Sequence, residues 1–452
     1  MRHFLLLLLF APPLLAQAAD TRVDTAVDQA LQERGLAQVV ILFEPDQPTT
    51  LDVAGRAERR ASVARTTDSV LQSAGAGFAV SHRFELISAL YGQVDMDGFR
   101  ALQAHPQVRA IGLDMGGSGH NDVALPLLGF DQLQAERPEG LGLDGDGIKV
   151  VVLDSGIDAG HLAFEDALVD EACFCFNPNG HCCPNGEATQ FGDGAADDDH
   201  GHGTWVSGQI VGRGVNSPIG AAPAADLVAV KMLDSGNGFW STGDIAASYE
   251  WVALNHPDAA VLNASLGTFM TFTQTCDSAE SWAVPVSQAA ALLTANGTVL
   301  TASTGNQAAT GIQLPSCLAD VIAVGGTWSQ DFPGTWFGTL CGEAQVNPLQ
   351  DDIACFSNTA SMVDLLAPAV PIQTTALGGG QTGGLFGTSF AAPLVAGCAT
   401  LIRQFFPDES PAQIKQRMLQ SPLRLNDTRI DQDFPRLDCL HAIERLFVDR
   451  FE

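Results

Sequence analysis

Apolar positions along this chain follow two different patterns, with the change near residue 120. Before it, Val39-Val40-Ile41-Leu42-Phe43 predicts a strand, and the Arg- and Ala-rich stretch from about Gly55 to Ser73 predicts a polar helix. Gly77 to Phe84 and Ser88 to Val94 predict two more strands, Asp97 to Ala104 a helix, and Val108 to Leu113 a last strand. That β-α-β-β-α-β order describes a small split βαβ domain, which by composition alone fits any small binding module. Beyond residue 120, short strands alternate with helices. The strands are Lys149 to Leu153, Leu227 to Met232, Ala260 to Ala264, Thr298 to Ala302 and Val321 to Val324. They are rich in Val, Ile and Ala with little alternation, as strands buried on both faces are. Helices are expected at Gly203 to Val211, Gly243 to Asn255, Ser287 to Ala295, Thr388 to Phe405 and Pro411 to Leu419. The last has a capping-box start, with Ser410, Pro411 and Gln413 in their places. The fold class is therefore α/β, a mostly parallel sheet flanked by helices, preceded by a small α+β domain. In such open sheets active sites lie beyond the carboxyl ends of the strands.

The first 18 residues have the form of an export signal: Arg2, an apolar run from Phe4 to Leu15, and Ala16-Gln17-Ala18 as a small-residue cleavage site. The run is too short to span a bilayer, so a soluble exported protein is expected, outside the cell or in a periplasm. Ten cysteines suit that compartment. Cys173, Cys175, Cys182 and Cys183, with His181, could form a zinc knot or two disulfides, and export favours disulfides. Cys276 with Cys317 and Cys341 with Cys355 are placed as pairs; Cys398 is a buried thiol or the partner of Cys439. The net charge is −30, and from Met115 onward twelve bases stand against 39 acids. Such a surface repels nucleic acid and anionic membranes, so neither is an expected partner.

Three segments carry candidate chemistry. Asp154 leaves the apolar run Ile148 to Leu153 into Ser155-Gly156, placed to hold an imidazole. His202 stands in His200-Gly201-His202-Gly203-Thr204-Trp205-Val206-Ser207-Gly208, at the start of a helix with Val206, Ile210 and Val211 on its apolar face. Ser389 stands in Gly387-Thr388-Ser389-Phe390-Ala391-Ala392-Pro393, where Pro393 is expected in the first helical turn. Two of them have a bland reading: Asp154 as a helix cap or turn residue, Ser389 as an N-cap serine. An acid, an imidazole and a hydroxyl in Gly-rich contexts at element ends are together what acyl transfer requires.

These segments, in the order Asp, His, Ser, resemble the subtilisin-like serine proteases. His202-Gly203-Thr204 matches the family's His-Gly-Thr motif, with Trp205 and Ser207 in place of its commoner His and Ala. The resemblance implies Asp154 as orienting acid, His202 as general base and acid, and Ser389 as nucleophile. It implies Asn306, in Thr304-Gly305-Asn306, as oxyanion donor beside the Ser389 N–H. It also implies Ser265-Leu266-Gly267 and Gly236-Asn237-Gly238 as the rims that pair with an extended peptide. Ser303, Thr304 and Gly305 would shape, with the first rim, the pocket before the cut; with no fixed charge it favours uncharged side chains. The domain at 36–115, ferredoxin-like in element order, resembles the family's inhibitory propeptide, and 121–447 the peptidase domain. The flexible link Met115 to His120 is the expected cut site. A monomeric zymogen that cleaves polypeptides and its own propeptide follows, with no cofactor or metal in catalysis. Asp193, Asp197, Asp198 and Asp199 could bind structural calcium or form a solvated acidic loop. An α/β-hydrolase esterase would need Gly-x-Ser-x-Gly with the histidine last, which Ser389 lacks. A binding protein on a dead protease scaffold would not keep all four site residues.

Overall fold

The computed structural model describes residues 21–449 apart from 24, 45–55, 84–87, 114–120, 136–139, 178–179, 337–340 and 342–343. The export signal and the expected cut site lie outside the described residues. The chain divides into two compact units, Met1–Gly117 and Ser118–Glu452.

In the first unit the strands Leu36–Phe43, Phe78–Arg83, Ala89–Asp95 and Val108–Leu113 and the helices Arg56–Ala74 and Met96–Gln103 occur in the expected order. The sheet runs Val108–Leu113, Leu36–Phe43, Ala89–Asp95, Phe78–Arg83, and these neighbours are antiparallel. Two elements precede what the pattern predicts. Helix Thr25–Arg34 packs Val27 and Leu31 into the core, and strand Arg22–Val23 adds a parallel edge. A two-residue strand and a mostly polar helix leave little periodicity to read.

The second unit is built on an eight-stranded sheet. Its spatial order is Leu365–Val370, Val321–Trp328, Val299–Ser303, Val261–Ala264, Lys149–Asp154, Asp226–Lys231, Leu168–Phe174, Thr189–Phe191. Neighbours are parallel except the last pair. Alternate side chains of the central strand enter different cores: Val150 and Val152 on one face, Val151 and Leu153 on the other. This is why the strands read as continuous apolar runs. Three strands escape the pattern for local reasons. Leu168–Phe174 carries Asp170 and Glu171, Leu365–Val370 carries Pro368, and Thr189–Phe191 is only three residues long. The five expected helices are present, and Ser410 and Gln413 form the capping box.

All ten cysteines are paired: Cys173–Cys183, Cys175–Cys182, Cys276–Cys317, Cys341–Cys355 and Cys398–Cys439. The last resolves the alternative for Cys398 and ties helix Thr388–Phe405 to helix Cys439–Asp449. No helix among the described residues is long and apolar enough to cross a membrane.

Candidate active site

The central strand delivers Asp154 at its carboxyl end, fully buried. Its Oδ1 accepts from the Ser155 N–H at 2.7 Å and lies 2.7 Å from His202 Nδ1. A carboxylate at Nδ1 keeps the ring proton on that nitrogen and leaves Nε2 to accept another. Burial alone would lower the His202 pKa. The Asp154 carboxylate, by charge and hydrogen bond, and the Asp198 charge overcome this and hold it above its ordinary 6.5.

His202 opens the helix His202–Val211 after Gly201, whose φ of 106° favours glycine. Close packing seats this helix on the strand end: a Cβ on Gly203 would stand 2.1 Å from the Gly156 carbonyl oxygen. Ser155 Oγ accepts from the Gly203 N–H at 2.8 Å and donates to Asp198 Oδ1 at 2.9 Å. Asp198 also accepts from the His200, Gly201 and Thr204 N–H groups and from the Thr204 hydroxyl. Burial would raise this carboxyl, but these bonds, the Thr204 hydroxyl's foremost, keep it below the usual range. Asp154 stands in register with Lys231 on the neighbouring strand. The buried Lys231 ammonium donates to the Ser155 carbonyl at 2.7 Å and to Asp199 at 2.6 Å. Asp198 and Asp199 are thus engaged with protein groups that frame the site. Among the described residues no group of three or more His, Cys, Asp or Glu could hold a metal ion.

Ser389 is the second residue of helix Thr388–Phe405, so its N–H has no acceptor within the helix. Its hydroxyl donates to the Ser265 carbonyl at 3.2 Å. Pro393 departs from expectation: it is the sixth helical residue, past the first turn. A proline frees the carbonyl four residues earlier, here that of Ser389, and Ser265 Oγ donates to it at 2.8 Å. Asn263 Nδ2 in turn donates to Ser265 Oγ at 2.9 Å. The His202 and Phe390 ring centroids are 5.9 Å apart, so the imidazole faces the start of the Ser389 helix. Trp205 packs edge-on against His202 with centroids 6.1 Å apart, an aromatic wall where the family motif has histidine.

Asn306 follows strand Val299–Ser303. Its Oδ1 accepts from the Thr388 N–H at 2.8 Å and the Thr388 hydroxyl at 2.9 Å. With the oxygen committed, the amide nitrogen is left for a ligand, 3.3 Å from where Gly387 would carry a Cβ.

A cleft of about 440 Å³ opens beside Ser389. It is lined by Asn237, Gly238, Ser265, Leu266, Gly267, Ser303, Gly305 and Asn306, all expected from the sequence. Gly236 and Thr304 are not among the lining. Gly236 sits in a turn where its N–H donates to Asp234 Oδ1, and Thr304 is wholly buried. Trp240, Phe269 and Gln313 line the cleft without having been predicted, as does Thr242. Lys231 had a legible signal, a lone charge ending an apolar strand as Asp154 does; Gln313 had none.

Asp244, two residues beyond Thr242, accepts from the Phe176 N–H at 3.1 Å. Burial pushes its carboxyl up to about 6. An acid whose pKa rises on folding stabilises fully below its unfolded value and loses this as pH rises through the folded one. Asp244→Asn, which keeps an acceptor for Phe176, should therefore raise Tm at pH 7.5, by roughly 1–3 kcal/mol of stability. The gain should vanish near pH 3.5. Thermal unfolding at the two values checks this; an equal change at both would contradict it.

Residues 145–434 match the model of the subtilase family. Subtilisin E of Bacillus subtilis is 31% identical over 368 residues, 79% of this chain and 80% of that protein. The alkaline protease of Shouchella clausii is 30% identical over 352 residues, 77% of this chain and 78% of its own. Among solved structures, the protease domain of PatA superposes with a TM-score of 0.51 at 28% identity, covering 68% of this chain and 98% of that one. Proteases from Pseudoalteromonas arctica share the fold at 23% identity and a TM-score of 0.52, covering 70% and 97%. Sheet, cleft and relatives together define a serine endopeptidase. The chain belongs to the subtilase family.

Proposed function

We propose that this chain is an exported protease made as a zymogen, with Asp154, His202 and Ser389 as its catalytic triad. The observation that carries the reading is the buried Asp154–His202 bond of 2.7 Å facing the helix start that bears Ser389. Substrate binding displaces the Ser389 hydroxyl from the Ser265 carbonyl toward Nε2, since such catalytic bonds commonly form only in the complex. Nε2 takes the hydroxyl proton as Oγ attacks the scissile carbonyl. Asp154 stabilises the imidazolium, and the Asn306 amide and Ser389 N–H receive the oxyanion. One such donor lowers the barrier by roughly 3–4 kcal/mol. The imidazolium then protonates the leaving amine. Water, deprotonated by the same nitrogen, hydrolyses the acyl-enzyme. No step requires a cofactor.

The first compact unit acts as intramolecular inhibitor, and the link Met115 to His120 is the enzyme's first substrate. The mature enzyme works as a monomer on extended polypeptides, outside the cell or in a periplasm. Five disulfides and the signal-like first 18 residues support export. Phenylmethylsulfonyl fluoride should sulfonylate Ser389 alone and stop casein hydrolysis, and Edman sequencing of the mature protein should start near residue 115. Labelling of another serine, or a mature protein that begins near residue 19, would contradict the reading.

A further inference from the structure

The walls of the cleft nearest Ser389 are two glycine-bearing segments, Ser265–Gly267 and Ser303–Gly305, and both glycines face one side chain. A Cβ on Gly267 would stand 2.6 Å from Gln313 Oε1, and a Cβ on Gly305 2.4 Å from the same atom. The Gln313 carboxamide therefore fills the space that two absent side chains leave between the walls. It is only 6% exposed, yet it lines the cleft that holds Ser389. Its backbone is fixed: the carbonyl accepts from Ser316 Oγ at 2.6 Å and from the Cys317 N–H at 3.0 Å. The disulfide from Cys317 to Cys276 anchors the same turn. Among the described residues no protein group hydrogen-bonds the carboxamide itself. Neither its Oε1 nor its Nε2 is sealed from solvent, so the carboxamide meets the cleft with both its donor and its acceptor open to a ligand. The lining around it contains no Asp, Glu, Lys or Arg, and another amide, Gln307, lies beside it.

We infer that Gln313 is the specificity-determining residue of the pocket for the side chain before the cut, and that it selects substrates with an uncharged amide there, glutamine or asparagine. The inference rests on the proposed role of Ser389, since it identifies that pocket by the cleft lining that Gln313 shares with the nucleophile. A carboxamide offers one donor and one acceptor face, and another amide answers both at once. An apolar side chain of equal size answers neither and keeps water from doing so. A carboxylate offers acceptors only. A large aromatic ring meets the carboxamide where a smaller residue would leave depth. The sequence alone suggests a pocket merely without charge; Gln313 makes it polar and shortens it.

Four peptide p-nitroanilides that differ only in the residue before the cleaved bond, Gln, Leu, Phe or Glu, test this on the mature enzyme. The glutamine substrate should be cleaved with kcat/KM at least about tenfold above the leucine one. In Gln313→Leu the ratio should invert. In Gln313→Ala the phenylalanine substrate should gain about tenfold relative to glutamine, which tests depth apart from hydrogen bonding. Wild-type cleavage of leucine or phenylalanine as fast as glutamine, with Ser389 still sulfonylated, overturns the role of Gln313 and leaves the triad standing. Cleavage of none of the four, with no sulfonylation of Ser389, overturns the nucleophile assignment and this inference with it.

Discussion

Ser389→Ala is expected to leave a folded protein that neither hydrolyses casein nor matures. The loss in kcat should be on the order of 10⁶-fold, the size of the effect that removing the nucleophilic serine has in subtilisin. The residual rate would come from binding and the oxyanion donors, which the substitution leaves in place. Folding should be spared because, among the described residues, the hydroxyl makes a single bond, to the Ser265 carbonyl at 3.2 Å. The bond that locks the helix start, Ser265 Oγ to the Ser389 carbonyl, involves backbone and survives. Casein hydrolysis, the size of the purified chain on a gel and its circular dichroism spectrum provide the check. Wild type should shed about 100 residues, the size of a small domain, while the variant should keep them. Equal processing and activity in both would remove Ser389 from the mechanism.

The second large effect is expected for Asp154→Asn, a drop of about 10⁴-fold in kcat near neutral pH. The introduced amide can turn its NH₂ toward Nδ1 and so favour the tautomer with the proton on Nε2. That nitrogen then has no lone pair for the Ser389 proton. The pH profile separates this from simple damage. In wild type kcat/KM should rise with pH along a limb above 6.5, because the Asp154 carboxylate holds the buried imidazole in its charged form. Without that charge burial prevails, so the limb should move to lower pH. The same raised pKa adds stability below pH 6.5 that is lost as pH rises through the folded value. Measuring kcat/KM from pH 5 to 9 decides the matter. A loss below tenfold, or a limb that stays in place, would refute the orienting role.

Much of the architecture is legible because its causes are local. Strands Lys149–Asp154 and Val299–Ser303 lie between two cores, and their Val and Ala runs announce this directly. Strand Leu168–Phe174 is equally part of the sheet but hides behind Asp170 and Glu171. Glu171 is tolerated there because the Gly194 and Ala196 N–H groups donate to it from a loop more than twenty residues away. Pro393 shows the same limit at closer range. Placing it in the helix is a matter of sequence, whereas the Ser265 hydroxyl that repairs its missing bond arrives from 124 residues earlier.

What the sequence by itself determined is the set of parts: two units, an α/β sheet, and the proposed site residues Asp154, His202, Asn306 and Ser389, each marked by glycines and apolar runs beside it in the chain. Local sterics and helix termini impose those neighbours, so they can be read there. Tertiary structure alone decided that Lys231 lies under Ser155, that Cys398 pairs with Cys439, and that Gln313 occupies the space left by Gly267 and Gly305. Most of those contacts join segments dozens of residues apart, and nothing adjacent in the chain has to change to permit them.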